Sequence, residues 1–153
     1  MQQLVAHHRP LCGGGQVEYF KNLARAEGVD DRVMFTGYRE DVPEILRALN
    51  VLAIPSTRHE GVPQIGLQAL ACGTAVVGSD VGGIPEIVRE GETGRIFPVN
   101  DAARLAARIQ ETLTQPEQTT HMAGRGLALV KAEYSFEAML DKLEVIYRRY
   151  LRD

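Results

Sequence analysis

Cysteine is scarce. Only Cys12 and Cys72 occur in 153 residues, and they form no metal-type spacing. A disulfide between them stays open, but two free thiols in a reducing compartment is the preferred expectation. A net positive charge is lacking too. A net charge of −3 argues against the concentrated basic field that nucleic acid or a polybasic membrane surface requires. No apolar run approaches the roughly 20 residues that span a bilayer. Met1-Gln2-Gln3 lacks the basic-then-apolar order of a secretory signal. Internal repeats and low-complexity segments are missing as well. What is present, 44% hydrophobic and 24% charged residues, is ordinary for a globular domain. The expectation is a soluble, cytoplasmic chain forming one domain over residues 1–153, long enough to bury a core.

Short apolar strands alternate with amphipathic helices along the first hundred residues. Arg32-Val33-Met34-Phe35-Thr36 is a β-prone run closed by Gly37, and Asp41-Val42-Pro43 suits the start of a helix through Leu49. Val51-Leu52-Ala53-Ile54 is a continuous apolar run, as expected of a strand buried on both faces of a parallel sheet. A helix over about 63–72 is stopped by Gly73. Thr74-Ala75-Val76-Val77 is the next strand, followed by the turn Asp80-Val81-Gly82-Gly83, a short helix over 85–88 and a strand over 94–97. This rhythm predicts a Rossmann-like parallel sheet with helices on both faces, with ligand at the carboxyl ends of the strands. Residues 100–153 read as helix only. Asp101 caps a helix bearing Leu105, Ile109 and Leu113, a second stretch covers about 117–133, and Ser135 caps a third. In the third, Phe136, Met139, Leu140, Leu143, Ile146, Tyr147, Tyr150 and Leu151 recur at helical spacing, a face expected to pack on the sheet or on a partner domain.

The first thirty residues are the least regular. Leu4-Val5-Ala6 reads as a strand interrupted by His7-His8-Arg9-Pro10, and the triplet Gly13-Gly14-Gly15 leads into a helix carrying Phe20, Leu23 and Ala24. The triplet is read as a flexible turn, with a phosphate-approaching loop as the alternative. The histidine pair has no carboxylate or cysteine near it, which argues against a metal site.

The chemistry concentrates in Arg58-His59-Glu60-Gly61-Val62-Pro63-Gln64-Ile65-Gly66-Leu67-Gln68. Pro63 suits a first helical turn, so backbone N–H groups of about residues 62–65 would face outward and favour an anion. Gly61 leaves no side chain to block a diphosphate there. Glu60, Gln64 and Gln68 recur every four residues, which aligns polar groups where the helix is formed, while Ile65, Ala69 and Cys72 would be buried. A plain helix start with a solvated polar face has the same spacing, and spacing alone leaves both readings open.

Ser56-Thr57-Arg58-His59-Glu60-Gly61, followed by the run from Gln68 through Ala71-Cys72-Gly73-Thr74 and Ser79-Asp80-Val81-Gly82-Gly83-Ile84-Pro85-Glu86, resembles the C-terminal domain of group 1 (family 4) glycosyltransferases. The likeness includes Val33-Met34-Phe35-Thr36-Gly37 and Asp41-Val42-Pro43 upstream, and Gly91-Glu92-Thr93-Gly94 and Asp101 downstream. It begins near residue 31, leaving residues 1–30 poorly matched. The resemblance implies half of a GT-B fold of two Rossmann-like domains, and a nucleotide-diphosphate sugar as substrate with no cofactor. It implies that Glu60 lies at the donor sugar near the reacting carbon and that Gly61, Val62, Pro63, Gln64 and Ile65 hold the sugar and diphosphate. Gly37 and Tyr38 match the loop that touches the base. Arg58 is the nearby cation available to a phosphate, with a bare surface role as its alternative.

Two departures qualify the resemblance. Gln68 stands where the family carries a glutamate that accepts bonds from the ribose hydroxyls. The family's diphosphate-holding Arg and Lys have no match between Met1 and Asp30, and with no counterpart of the family's N-terminal Rossmann-like domain the expectation is a fragment or a truncated gene product. The expectation is a donor-binding domain of a metal-independent, retaining enzyme, inactive by itself. The sequence holds no Asp-x-Asp pair of the kind a metal-dependent transferase uses. A non-catalytic nucleotide-binding module is the alternative. A receiver-like domain is set aside, because it needs acids where His7-His8-Arg9 stands.

An amide has one acceptor oxygen and no charge, whereas a carboxylate accepts with two. Gln68→Glu should therefore tighten nucleoside diphosphate binding by about 1–2 kcal/mol. Calorimetric titration of both forms checks this; equal or weaker binding by the variant would remove Gln68 from the ribose site.

Overall fold

The computed structural model describes residues 4–6, 15–58 and 60–151. The His7-His8 pair, Cys12, Gly13, Gly14 and His59 lie outside the described residues. The chain divides into two compact units, Met1–Val42 and Pro43–Asp153.

In the first unit, β1 (Leu4–Ala6) and β2 (Val33–Phe35) pair in parallel with Leu4 opposite Val33 and Ala6 opposite Phe35. The helix α1 (Gly15–Ala26) joins them. Ala24 is buried, while Phe20 and Leu23 are partly exposed. Gly28, with φ of +64°, lets the chain leave the helix in the left-handed region. A single 3-10 turn at Asp30–Arg32 then enters β2.

The second unit opens within the helix α2 (Val42–Ala48). Its sheet has the parallel order β3 (Leu52–Ile54), β4 (Val76–Ser79) and β5 (Arg95–Phe97). The crossovers are α3 (Gln64–Ala71) and the one-turn α4 (Ile84–Ile87). The central strand β4 is buried at all four positions, but in β3 only Ile54 is. The expectation that β3 is buried on both faces is thus corrected. The lateral place of β3 beside β4 leaves Leu52 and Ala53 half covered.

Strand β4 also begins two residues later than its apolar run suggests. Gly73, at φ +74°, turns the chain out of α3, and Thr74 and Ala75 serve as anchors before the strand. The Thr74 hydroxyl donates to the Leu46 carbonyl at 2.7 Å, and the Ala75 carbonyl accepts from the Leu52 amide at 2.8 Å. Gly78 then admits α4 against the strand: a Cβ there would lie 2.5 Å from a methyl of Ile84.

Three helices complete this unit: α5 (Ala102–Thr114), α6 (Pro116–Glu133) and α7 (Phe136–Tyr150). Asp101 caps α5 by accepting from the Arg104 amide at 2.8 Å, and Ser135 caps α7 by accepting from Ala138 at 3.1 Å, as their sequences predict. Pro116 opens α6 at its first turn rather than merely following α5. Helix α6 buries Met122, Ala123, Gly126 and Leu129 and meets α3. Gly126 permits that approach, because a Cβ would lie 2.5 Å from a Leu70 methyl. No residue of α7 is buried, so its apolar stripe does not pack on the sheet. Instead α7 meets α6, and Tyr147 and Tyr150 remain 60% and 76% exposed. No helix among the described residues is long and apolar enough to cross a membrane.

An arginine lies inside this packing. Arg95 of β5 is 5% exposed, and its guanidinium meets Glu111 at 3.2 Å, Gln115 at 2.6 Å and Gln118 at 2.9 Å. Glu111 also accepts from Arg108 at 2.8 Å, and Arg108 reaches Glu90 at 3.1 Å and the Ile96 carbonyl at 3.1 Å. Glu90 closes the loop by accepting from the Ile96 amide at 2.6 Å. The network joins β5 to α5 through charges that a buried strand would otherwise leave unpaired. The Arg108 bond holds Glu111 below its ordinary value of 4.5, with partial burial opposing it. A carboxyl lowered by folding stabilises the fold fully above its unfolded value and loses that contribution as pH falls through the folded one. The contribution of Glu111 to stability should therefore begin to fade as pH falls below its ordinary value of 4.5. Glu111→Gln should lower stability at neutral pH and flatten the acid limb, as read by urea melts across pH.

Candidate functional site

Strand β3 ends at Ile54, and the segment 55–63 carries the chain to α3. Pro63 is the residue before α3, extended at φ −69° and ψ 120°, so the helix begins at Gln64 rather than at Pro63. The first bonds of the helix run from Gly66 and Leu67 to the Pro63 carbonyl, at 3.0 and 3.2 Å. The amides of Gln64 and Ile65 precede that ladder and are the open donors of the helix start. This narrows the expected set of residues 62–65. Pro63 has no N–H, and the Val62 amide nitrogen faces Gly83, where a Cβ would lie only 2.7 Å away.

Gly82 and Gly83, on the turn after β4, press backbone to backbone on this segment. A Cβ on Gly82 would lie 2.0 Å from the Glu60 carbonyl oxygen, and Gly82 also sits at φ +58°. One on Gly83 would lie 2.8 Å from the Gly61 carbonyl carbon. The Gly83 amide donates to the Glu60 carbonyl at 2.9 Å. Only glycine allows two loops to approach so closely.

The Glu60 side chain is held as well. Its Oε2 accepts from the Ser56 hydroxyl, and the Ser56 carbonyl accepts from the buried Ser79 hydroxyl at 2.8 Å. Gln64 and Gln68 are exposed on α3, one helical repeat apart, in line with the expected polar face. The buried face is Gly66, Ala69 and Leu70, with Ile65 and Cys72 only half covered, which corrects the expected set of Ile65, Ala69 and Cys72. Gly66 falls on it because a Cβ would meet Ile87 at 2.8 Å and Ile54 at 3.0 Å. Cys72 is a free thiol directed at the Pro43 carbonyl. Arg58 is exposed and makes no ion pair among the described residues. Gly37, at φ +64°, and the 73%-exposed Tyr38 lie on the loop after β2 in the first unit.

The structure thus gathers Glu60, Gly61 and Val62 under one glycine clamp and sets Gln64, Ile65 and Gln68 along the helix that Pro63 caps. Sequence reading did not single out Ser56 and Ser79. A hydroxyl four residues before Glu60 and a paired glycine after a strand were the available signals.

Parallel strands with helical crossovers and a loop-to-helix site at their carboxyl ends are the architecture of one Rossmann-like half of a GT-B fold. The family model described as glycosyl transferases group 1 matches residues 10–127, and the chain belongs to that family. It is 33% identical over 125 residues to the N-acetyl-alpha-D-glucosaminyl L-malate synthase of Bacillus anthracis, covering 82% of this chain and 32% of that protein. The sucrose-phosphate synthase of Thermosynechococcus elongatus is 31% identical with a TM-score of 0.85, over 97% of this chain and 38% of that one. Anabaena HepE, solved with UDP and with UDP-glucose, superposes with a TM-score of 0.85 over 97% of this chain and 41% or 40% of its own. At 23% identity it supports the fold alone. The chain spans about a third of the length of the curated relatives it matches.

The clamp generates a direct prediction. Gly82→Ala adds a methyl in the left-handed region against a backbone oxygen, so it should cost about 2 kcal/mol or more. It should also move the amide resonances of Glu60 and Gly61. Denaturant melts and amide spectra check this; a variant with wild-type stability and spectra would exclude the clamp.

Proposed function

We propose that this chain is the donor-binding domain of a retaining glycosyltransferase that moves a sugar from a nucleotide-diphosphate sugar to an acceptor. In this reading Glu60 meets the donor sugar beside the reacting carbon. Gly61 lets the diphosphate approach, and the Gln64 and Ile65 amides receive its charge. The leaving diphosphate gathers negative charge as its bond to the sugar breaks. Fixed amide dipoles at the start of α3, with Arg58 as the cation in the same segment, stabilise that charge without a metal ion. Gln68 offers the ribose a neutral acceptor, a weaker contact than a carboxylate would make.

The observation that carries this reading is the restraint on Glu60. Its carbonyl and its carboxylate are each fixed by a different element, directly before a helix whose first amides are open. A solvated surface glutamate has no need of either restraint. HepE, solved with UDP-glucose, is an example of this fold holding a nucleotide-diphosphate sugar. The second reading, a non-catalytic nucleotide-binding module, is favoured by Gln68. Transfer in the cytoplasm, a hexose as the group moved, and a second Rossmann-like domain that supplies the acceptor site complete the proposal.

The isolated chain should bind uridine diphosphate or another nucleoside diphosphate yet transfer no sugar. Joined to an N-terminal Rossmann-like domain of a family member, it should transfer. There, Glu60→Ala should lower kcat by roughly 10²–10⁴-fold, the range for a positioned polar group at a reacting centre. A radiolabelled-donor assay reads both forms. Transfer unaffected by Glu60→Ala would favour the non-catalytic module, and robust turnover by the isolated chain would remove the need for a second domain.

A further inference from the structure

The Glu60 carboxylate lies on an exposed loop, where a glutamate ordinarily samples several rotamers. Here a line of hydrogen bonds runs to it from the core. Ser79 ends β4, is 0% exposed, and donates its hydroxyl to the Ser56 carbonyl at 2.8 Å. That bond fixes the backbone of Ser56 just beyond β3. The Ser56 hydroxyl then donates to Oε2 of Glu60, a charge-assisted bond of the stronger kind. Among the described residues nothing donates to Oε1. One oxygen is therefore tied down and its twin is left open, while the Gly83 amide holds the carbonyl of the same residue at 2.9 Å.

We propose that Ser56, itself anchored by Ser79, is a positioning residue that fixes the Glu60 carboxylate in one rotamer and aims its free oxygen at a hydroxyl of the donor sugar. The role rests on the donor-site reading above, but its geometry is independent of any ligand. Ser56 serves two purposes with separate atoms: its carbonyl ties the loop to the sheet, and its hydroxyl orients the carboxylate. Replacing the hydroxyl alone leaves the backbone tie intact. The contribution to binding is preorganisation, because a carboxylate already ordered loses less freedom when the sugar arrives.

The test uses the whole chain with Ser56→Ala, Ser56→Thr and Glu60→Gln. Three-bond couplings of the Glu60 side chain report its χ1 without any ligand. They should indicate a single rotamer in the wild type and in Ser56→Thr, which keeps a hydroxyl, and rotamer averaging in Ser56→Ala. Unchanged couplings in Ser56→Ala would overturn the proposal. In parallel, UDP-glucose and UDP are titrated as probes. Ser56→Ala should weaken UDP-glucose binding about three- to tenfold, the scale of ordering one flexible side chain, with UDP affinity unchanged. Equal weakening of both ligands would mean that Ser56 merely supports the loop, and would overturn the proposal. If Ser56→Ala averages the couplings but Glu60→Gln leaves both affinities at wild type, positioning stands and the donor-site reading fails.

Discussion

The second unit depends on the contact of two backbones without side chains between them. Gly82 and Gly83, at the end of β4, lie on Glu60, Gly61 and Val62, at the end of β3. Adjacent strands of a parallel sheet deliver their carboxyl-terminal loops to the same edge, and here those loops touch directly. The Gly83 amide finds its acceptor in the Glu60 carbonyl, and the Val62 amide is turned toward the glycines. What remains facing outward is the short row of amides at the start of α3 and one oxygen of a carboxylate. The exposed chemistry is thus defined by what the clamp has already covered.

Glycine recurs wherever this unit brings its layers together. Gly66 lets α3 sit against Ile54 and Ile87, Gly78 lets α4 sit on β4, and Gly126 lets α6 meet Leu70. Gly94 stands where a Cβ would be 2.5 Å from the Val76 carbonyl oxygen. Threonine supplies the complementary part. Thr93 donates to the Ile87 carbonyl at 2.7 Å and accepts from the Arg89 amide at 2.8 Å, satisfying groups freed where one-turn α4 ends. Small side chains at close approaches and hydroxyls at freed backbone groups hold the short elements in place around the site.

Much of this was legible in the sequence. The strand–helix alternation, the caps at Asp101 and Ser135 and the family likeness each follow from local pattern, and local pattern is what a single sequence carries. Errors arose where the answer depends on neighbours. Leu52 and Ala53 read as core because the run is apolar, yet their burial depends on what lies beside β3. Spacing puts Ile65, Ala69 and Cys72 on the buried face of α3, and only Ala69 is there, because a glycine gives no hydrophobic signal although Gly66 is the residue pressed against Ile54 and Ile87. At the site, Glu60 and the residues after it were recognisable from type and spacing. The tie from Ser79 through Ser56 was not, since it joins residues far apart in the chain through a backbone carbonyl that has no sequence signature.

The bare stripe of α7 determines how this polypeptide behaves as a colloid. Phe136, Met139, Leu140, Ile146, Tyr147 and Tyr150 are all more than two-fifths exposed on one fifteen-residue helix. Apolar area gathered in this way attracts its like, and the small net charge of −3 supplies little repulsion to oppose it. Salt that screens the remaining charge pushes the balance further toward clustering. The tendency of the chain to associate accordingly has a source in its last helix, separate in sequence from the chemistry around Glu60.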